Sequence, residues 1–160
     1  MQLKKEGFSW TVWVKAKQPL GHIAPIFETR NGATETPHLW FFPSSNADQV
    51  ILNLRPPNHV STLLRNEFIT RVNSTHRDQW RHIAAVYDYV NGGRVYLNGL
   101  LWPIAVEVMT TTGIGDATSL HLGYRPGAEI HTFEGAFACA MVFEKALSEE
   151  EVKQVMDACP

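Results

Sequence analysis

The feature that most constrains the fold is the segment 80–101, WRHIAAVYDYVNGGRVYLNGLL. Apolar and aromatic residues dominate 83–90, and Asn91-Gly92-Gly93 then supplies residues that tolerate positive φ. A second β-branched and aromatic run, 94–97, is closed by Asn98-Gly99. The pattern predicts a tight hairpin in an antiparallel sheet. Because recognition of carbohydrate or protein is common on such sheets and catalysis is less so, we expect a binding module.

Short alternating segments separated by turn residues run through the rest of the chain. Residues 8–15 place an aromatic residue on each face, which predicts a central strand covered on both sides. Further strands are predicted at 23–30, 38–42, 49–54, 101–112, 119–123 and 133–143, and 62–72 is ambiguous. We therefore expect one all-β domain over residues 1–160, an antiparallel two-sheet jelly-roll sandwich with a short C-terminal helix.

The C-terminal helix is predicted from its capping residues and its periodicity. Ser148 and Glu151 have the spacing of a capping box. The apolar residues Val152, Val155 and Met156, together with Cys159, fall at i, i+3, i+4 and i+7. The helix is expected to lay this face on a sheet.

The chain has two cysteines, and they are either two unrelated buried thiols or a disulfide. Cys139 lies in the apolar run GAFACAMVF, and Cys159 follows the helix that should pack back on the sheet. We favour the disulfide, which would close a loop of about twenty residues and indicate an oxidising compartment. The sequon at Asn73 agrees with secretion as a glycosylation candidate.

Composition excludes some classes of partner. The formal net charge is −2 and no block of basic residues exists, so no nucleic-acid partner is expected. No apolar run is long enough for membrane insertion. The opening MQLKKEGFSW lacks the apolar core of a signal peptide, and we expect any targeting segment to lie outside this sequence.

Five motifs, in order, resemble a laminin G-like or pentraxin-type jelly roll of the concanavalin A-like lectin/glucanase superfamily. They are FSWTVWVK at 8–15, WRHIA with Tyr87-Asp88, RVYLNG at 94–99, LHLG at 120–123, and Phe133-Glu134-Gly135 followed by Ala146-Leu147-Ser148 with Glu150-Glu151-Val152. The resemblance implies an extracellular or cell-surface recognition domain cut from a larger protein. Only seven residues precede Phe8, where such domains have one or two strands, so N-terminal strands are expected to be missing or built differently.

Metal sites receive little support from the sequence. Pentraxins carry a Glu-Gln-Asp run where this chain has Tyr124-Arg125-Pro126-Gly127, which argues against a pentraxin-type calcium site. The weak calcium candidates are Asp88, Asn91 and Asp116, with Glu129 beside them; the first three can equally serve turns. Seven histidines show no zinc spacing. We expect no cofactor, with calcium as the alternative.

The candidate ligand-binding residues are aromatic and polar residues outside the predicted core strands. Trp10, Trp13 and Trp80 are assigned to the core. Trp40 and Trp102 either pack in the core or at its rim, or are exposed and stack on a sugar ring. The segment 124–131 adds the candidates Tyr124, Arg125, Glu129 and His131. The alternative is that this segment is an ordinary solvated connection without a binding role.

The functional prediction is a non-catalytic domain that binds a glycan or a matrix or cell-surface ligand through rim loops or a concave sheet face. No carboxylate pair at strand spacing and no nucleophile motif points to an enzyme. The first alternative is a protein-adhesion or structural module without sugar binding. The second is an accessory domain of a glycoside-processing enzyme. The sequence leaves the oligomeric state open.

Overall fold

The computed structural model describes residues 7–17, 22–31, 34–42, 48–54, 66–72, 78–109, 117–128 and 130–159. These residues form eleven strands and one helix. In chain order they are β1 (Gly7–Ala16), β2 (Ala24–Asn31), β3 (Thr34–Phe42), β4 (Asp48–Leu54), β5 (Asn66–Val72), β6 (Arg81–Asp88), β7 (Gly92–Leu97), β8 (Leu100–Trp102), β9 (Ile104–Met109), β10 (Ser119–Leu122), β11 (Gly135–Phe143) and α1 (Glu149–Asp157).

The strands form two antiparallel sheets that face each other. The five-stranded sheet has the order β11-β1-β6-β7-β8, and the six-stranded sheet has the order β10-β2-β3-β4-β5-β9. The predicted two-sheet sandwich is confirmed. The central position of β1 is confirmed too, since it pairs with β11 on one side and β6 on the other.

The core lies between the two sheets, as strand alternation requires. On β1 the alternate residues Phe8, Trp10 and Val12 are fully buried in it. The six-stranded sheet supplies Leu39 and Leu52, which are also fully buried. Side chains at the intervening positions consequently point away from the core, onto the outer face of each sheet.

The predicted hairpin is present, but its turn begins earlier than expected. The strand prediction of 83–90 was wrong for the last two residues, because β6 ends at Asp88. The Asp88 Oδ1 accepts hydrogen bonds from the amides of Val90 at 2.8 Å and Asn91 at 3.2 Å, which stabilises a turn over 89–91. Gly92 then takes the positive φ of 73° that returns the chain to β7.

Two other sequence predictions are corrected. The single strand expected at 101–112 is divided at Pro103, whose ring removes a backbone donor, and the chain crosses there from β8 of one sheet to β9 of the other. Trp80, assigned to the core, lies just before β6 and is 46% exposed. The WRHIA motif does lead into a strand, but its tryptophan precedes that strand and its indole lies outside the core. Residues 62–65 and 110–112 lie outside the described residues.

The helix and the disulfide are confirmed together on the outer face of the five-stranded sheet. Ser148 and Glu151 form the predicted capping box, and Val152 is fully buried against that face. Cys139 and Cys159 are bonded, with their Cα atoms 6.1 Å apart. Cys139 sits with φ 48° at an irregularity of the β1–β11 register. No helix in the described part of the chain is long and apolar enough to cross a membrane.

Candidate functional site

A row of polar side chains crosses the outer face of the six-stranded sheet. Glu28 on β2 lies directly opposite His38 on β3 and His121 on β10. These positions alternate with core residues such as Leu39, so the row faces outward. Glu28 and His38 are nevertheless buried, at 0% and 5% exposure. A carboxylate buried on the outside of a sandwich requires partners that compensate its desolvation.

Those partners are a tryptophan and two arginines. The Trp40 Nε1 donates a hydrogen bond to Glu28 Oε2 at 2.7 Å. The Nε atoms of Arg30 and Arg125 lie 3.6 Å and 3.9 Å from Glu28 Oε1. We call Glu28, Arg30, Trp40, Arg125 and His131 the Trp40 cluster. Because its carboxylate contacts three elements of the chain, the cluster fixes β2, β3 and the segment after β10 relative to one another.

Within this cluster the indole is covered on its outer side. The Arg125 Cζ lies 5.0 Å from the centroid of the Trp40 ring, in cation–π geometry. The His131 ring lies 5.8 Å from it. Trp40 is therefore only 7% exposed. The indole serves as the base beneath Arg125 and His131 and offers no free face for a sugar ring.

The residues that cover Trp40 come from a short hairpin-like segment, 123–133. An isolated bridge pairs Tyr124 with Thr132, and the Phe133 amide donates to the Gly123 carbonyl at 2.9 Å. The His131 Nδ1 lies 3.2 Å from the carbonyl oxygen of Ile23, ahead of β2. Gly123 has φ +69°, and a Cβ there would meet the Phe137 ring at 2.5 Å. This position accordingly requires glycine, and the segment is anchored at both ends.

An aromatic ring at the edge of this segment is open to solvent. Tyr124 is 40% exposed, and its ring meets that of His121 edge-on at 6.1 Å. The His121 Nε2 is 3.1 Å from Ser119 Oγ. Ile130, farther along the segment, is 76% exposed. We call Ser119, His121, Tyr124, Arg125 and Ile130 the Tyr124 surface.

The structure brings together four of the six predicted ligand-binding residues: Trp40, Tyr124, Arg125 and His131. Trp102 lies apart on β8 of the other sheet, half-buried against the core. Glu129 lies outside the described residues. The proximity of the four residues supports a common site; their role in binding remains a prediction.

Sequence reasoning did not single out Glu28 and Arg30. Their spacing of two residues in the predicted strand 23–30 places both on one face, opposite the aromatic strand that carries Trp40. An acidic residue in the middle of a strand beside an aromatic strand was the available indication. The partner from 124–131 is distant in sequence, and only the fold reveals it.

The calcium candidates are separated from this site. Asp88 serves the β6–β7 turn, as its turn interpretation predicted, and also accepts from the Asn91 Nδ2 at 3.0 Å. The hydrogen bond from the Val90 amide is the main cause that lowers the pKa of the Asp88 carboxyl from its usual value. Asp116 and the sequon residue Asn73 lie outside the described residues. Among the described residues, no group of three or more His, Cys, Asp or Glu is arranged to hold a metal ion.

With this geometry established, comparison with known families becomes informative. A laminin G family model, described as the concanavalin A-like lectin/glucanases superfamily, matches residues 1–153. The chain belongs to this superfamily. The resemblance carried by the five motifs is thereby confirmed. A comparison with curated protein sequences finds no match to this chain.

Solved structures of lectin-like domains share the fold of this superfamily member. A heptameric SAP-like pentraxin from Limulus polyphemus has a TM-score of 0.69 at 15% identity, over 94% of this chain and 70% of that one. The binding domain of botulinum neurotoxin DC, solved in complex with SialylT, has a TM-score of 0.66 at 14% identity. Botulinum neurotoxin type C, whose cell entry depends on interaction with two ganglioside molecules, has a TM-score of 0.65 at 13% identity. The chain covers 36% of the length of each neurotoxin structure.

Proposed function

We propose that this chain is a non-catalytic, extracellular recognition domain that binds a glycan at the Tyr124 surface. The observation that carries the proposal is the exposed Tyr124 ring beside His121 and Arg125, on a base formed by the buried Trp40 cluster. A half-exposed aromatic ring supplies an apolar face for a sugar, and neighbouring polar side chains supply directional hydrogen bonds.

Preorganisation of the polar groups supports the same function. Arg125 is positioned by its ion pair with Glu28 and its cation–π contact with Trp40, so its position does not depend on a ligand. A side chain that is already ordered loses less conformational entropy when it binds. The buried ion pairs would be replaceable by apolar residues if stability alone were required. Their presence on the outer face is therefore better explained by ligand recognition.

The related structures and the disulfide support the class of ligand and the compartment. The binding domain of botulinum neurotoxin DC is solved in complex with SialylT and with rat synaptotagmin II, and cell entry of the type C neurotoxin depends on two ganglioside molecules. Domains of this fold therefore take glycan and protein ligands. The Cys139–Cys159 disulfide is typical of proteins exposed to an oxidising compartment. Both points support an extracellular binding role.

Three carboxylates that have structural partners support a role without bond chemistry. Glu28 is fully buried beneath Trp40 and the arginines, out of reach of a bound substrate. Glu151 completes the capping box, and Glu149 pairs with Lys153 at 2.6 Å. Each of these acids has a structural partner, whereas a glycosidase needs two carboxyl groups facing one substrate.

The test is a broad glycan array, probed with wild-type protein in calcium and again with chelator. We expect selective binding that Tyr124→Ala removes, while the matched variant Tyr89→Ala, which deletes an exposed tyrosine at another site, retains it. Loss of binding with chelator would add calcium to the site. Absence of binding by folded wild-type protein in both conditions would overturn the glycan proposal.

A protein ligand is the second candidate, and Ile130 favours it. This apolar side chain is 76% exposed, and burial of apolar area drives association between proteins. In this case the glycan array would show nothing, and Ile130→Ser would weaken capture of an extracellular protein more than Tyr124→Phe would. The same surface is used in both candidates, and the two variants distinguish them.

A further inference from the structure

The Trp40 cluster presents cations to solvent, although a carboxylate lies at its centre. The Glu28 side chain is 0% exposed, whereas the side chains of Arg30 and Arg125 are 16% and 21% exposed. A ligand that approaches this part of the sheet therefore meets guanidinium groups, with the carboxylate buried beneath them. Because an exposed charge attracts its opposite, the cluster favours a ligand that carries an anionic group.

The two arginines of the cluster share a single carboxylate oxygen. Their Nε atoms lie 3.6 Å and 3.9 Å from Glu28 Oε1, whereas Arg94 on β7 pairs with a carboxylate of its own, that of Asp88. One negative charge does not neutralise two positive ones, so the described side chains of the cluster carry an excess of positive charge. Because uncompensated charge is costly where it is largely buried, a second anion at this position would be favourable.

An arginine can bind a second anion without releasing the first. Its planar guanidinium carries several N–H donors in a fork, and the contacts with Glu28 are made at Nε. A carboxylate or sulfate on a ligand offers several oxygen acceptors to such a fork. His121, directly opposite Glu28 on β10, and the Tyr124 ring, 6.1 Å from that of His121, are placed to hold the uncharged part of the same sugar.

We propose that the ligand of the Tyr124 surface is an acidic glycan, whose carboxylate or sulfate group binds at Arg30 and Arg125. This inference rests on the proposed glycan function and adds the chemical class of the ligand. It also gives a role to Arg30, which lies on β2 directly opposite Ser119 of the Tyr124 surface. Neutral glycans lack the charge that the two arginines select, so they bind more weakly.

The test is a glycan array on which each acidic glycan stands beside a neutral counterpart, with the carboxylate converted to its methyl ester or the sulfate removed. The whole chain is applied in calcium and again with chelator. The acidic form should bind about tenfold or more tightly than its counterpart, as charge-assisted hydrogen bonds supply. Whether carboxylated or sulfated glycans show this ratio identifies the acidic group. Added salt should reduce the ratio, because it screens the attraction between ligand and arginines.

Matched variants separate the two arginines from the rest of the surface. Arg30→Gln and Arg125→Gln should each remove most of the preference for acidic forms. Arg94→Gln, which makes the same change in net charge on the other sheet, should retain it. Circular dichroism establishes that each variant is folded, and the salt dependence of the wild type tests the inference without any variant.

The outcomes distinguish this inference from the function on which it rests. Neutral counterparts that bind as tightly as the acids, a preference that salt leaves unchanged, or folded arginine variants that keep the preference would each overturn the inference and leave the glycan function standing. A preference that disappears with chelator would assign the acidic group to calcium and overturn it too. Absence of binding to any glycan by folded wild type would overturn both.

Discussion

Both sheets of this sandwich have an outer face that something covers, and the two covers are chemically opposite. On the five-stranded sheet, α1 and the segment before it bury an apolar cluster: Ala84, Val86, Tyr96, Leu147 and Val152. A disulfide closes that cover. On the six-stranded sheet, Arg125 of segment 123–133 covers Glu28 through an ion pair and Trp40 through a cation–π contact. The Trp40 hydrogen bond to Glu28 and the Arg30 ion pair complete this polar cover from β2 and β3.

The difference between the covers separates stability from function. Burial of apolar area stabilises a fold without requiring any particular geometry. A buried carboxylate with two arginines repays its desolvation only when every partner is in place. We infer that the helix cover adds stability to the five-stranded sheet, and that the polar cover is retained because it positions Arg125 and Tyr124 for a ligand.

The largest expected effect tests the polar cover. Glu28→Ala removes the carboxylate and leaves two arginines and the Trp40 Nε1 without it, so we expect a loss of about 3–5 kcal/mol in the free energy of unfolding. Urea unfolding measures it. Glu28→Gln, which keeps an oxygen for the indole, should lose less. Glu150→Ala on the exposed face of α1 is the control, and a Glu28→Ala loss similar to that control would contradict the compensated-charge account.

The next effect tests the apolar cover. Cys139→Ala/Cys159→Ala removes a cross-link with a sequence separation of 20, and we expect a loss of about 3 kcal/mol in the free energy of unfolding. Ligand binding at the Tyr124 surface should be unchanged, since the disulfide lies on the other sheet. Intact mass before and after reduction and alkylation first establishes that the bond is present. A variant that loses binding while remaining folded would break the separation between the two covers.

The two covers also differ in how far the sequence predicts them. The helix cover is local: the capping box at Ser148 and the apolar periodicity through Val152 lie within one segment, and both predictions are confirmed. The polar cover joins Glu28 and Trp40, which lie on the neighbouring strands β2 and β3, to Arg125, which is distant from both in sequence. Pairing of that kind depends on strand order, which local periodicity does not encode. For the same reason the hairpin was predicted, while the exposure of Val90 and Trp80 was not.

A pH effect should arise on the apolar side. Burial lowers the pKa of His82 to about 4 from its usual 6.5, so the folded protein keeps it neutral while the unfolded chain protonates. The unfolded state therefore binds more protons between about pH 4 and 6.5, and stability falls as the pH drops through that window. We expect about 2 kcal/mol to be lost at pH 5 relative to neutral pH.

Urea unfolding at several pH values measures this loss, with His82→Gln as the comparison. The variant has no imidazole to protonate, so its stability should depend less on pH over the same window, whatever its stability at neutral pH. Identical pH profiles for the two proteins would exclude His82 as the source. That result would shift attention to carboxylates, such as Asp88, whose lowered pKa acts in the same direction at lower pH.

The smallest expected effect concerns the cap of the helix that forms the apolar cover. The Ser148 Oγ accepts from the Glu151 amide at 3.2 Å, and Glu151 Oε2 accepts from the Ser148 amide at 2.8 Å. Ser148→Ala should cost about 1 kcal/mol of unfolding free energy, and Ser148→Asp should retain most of it. If Ser148→Ala instead costs as much as the loss of the disulfide, the cap organises the whole cover, because Leu147 beside it is buried in the apolar cluster. A loss limited to the cap itself means that Leu147 and Val152 hold the helix in place through burial alone.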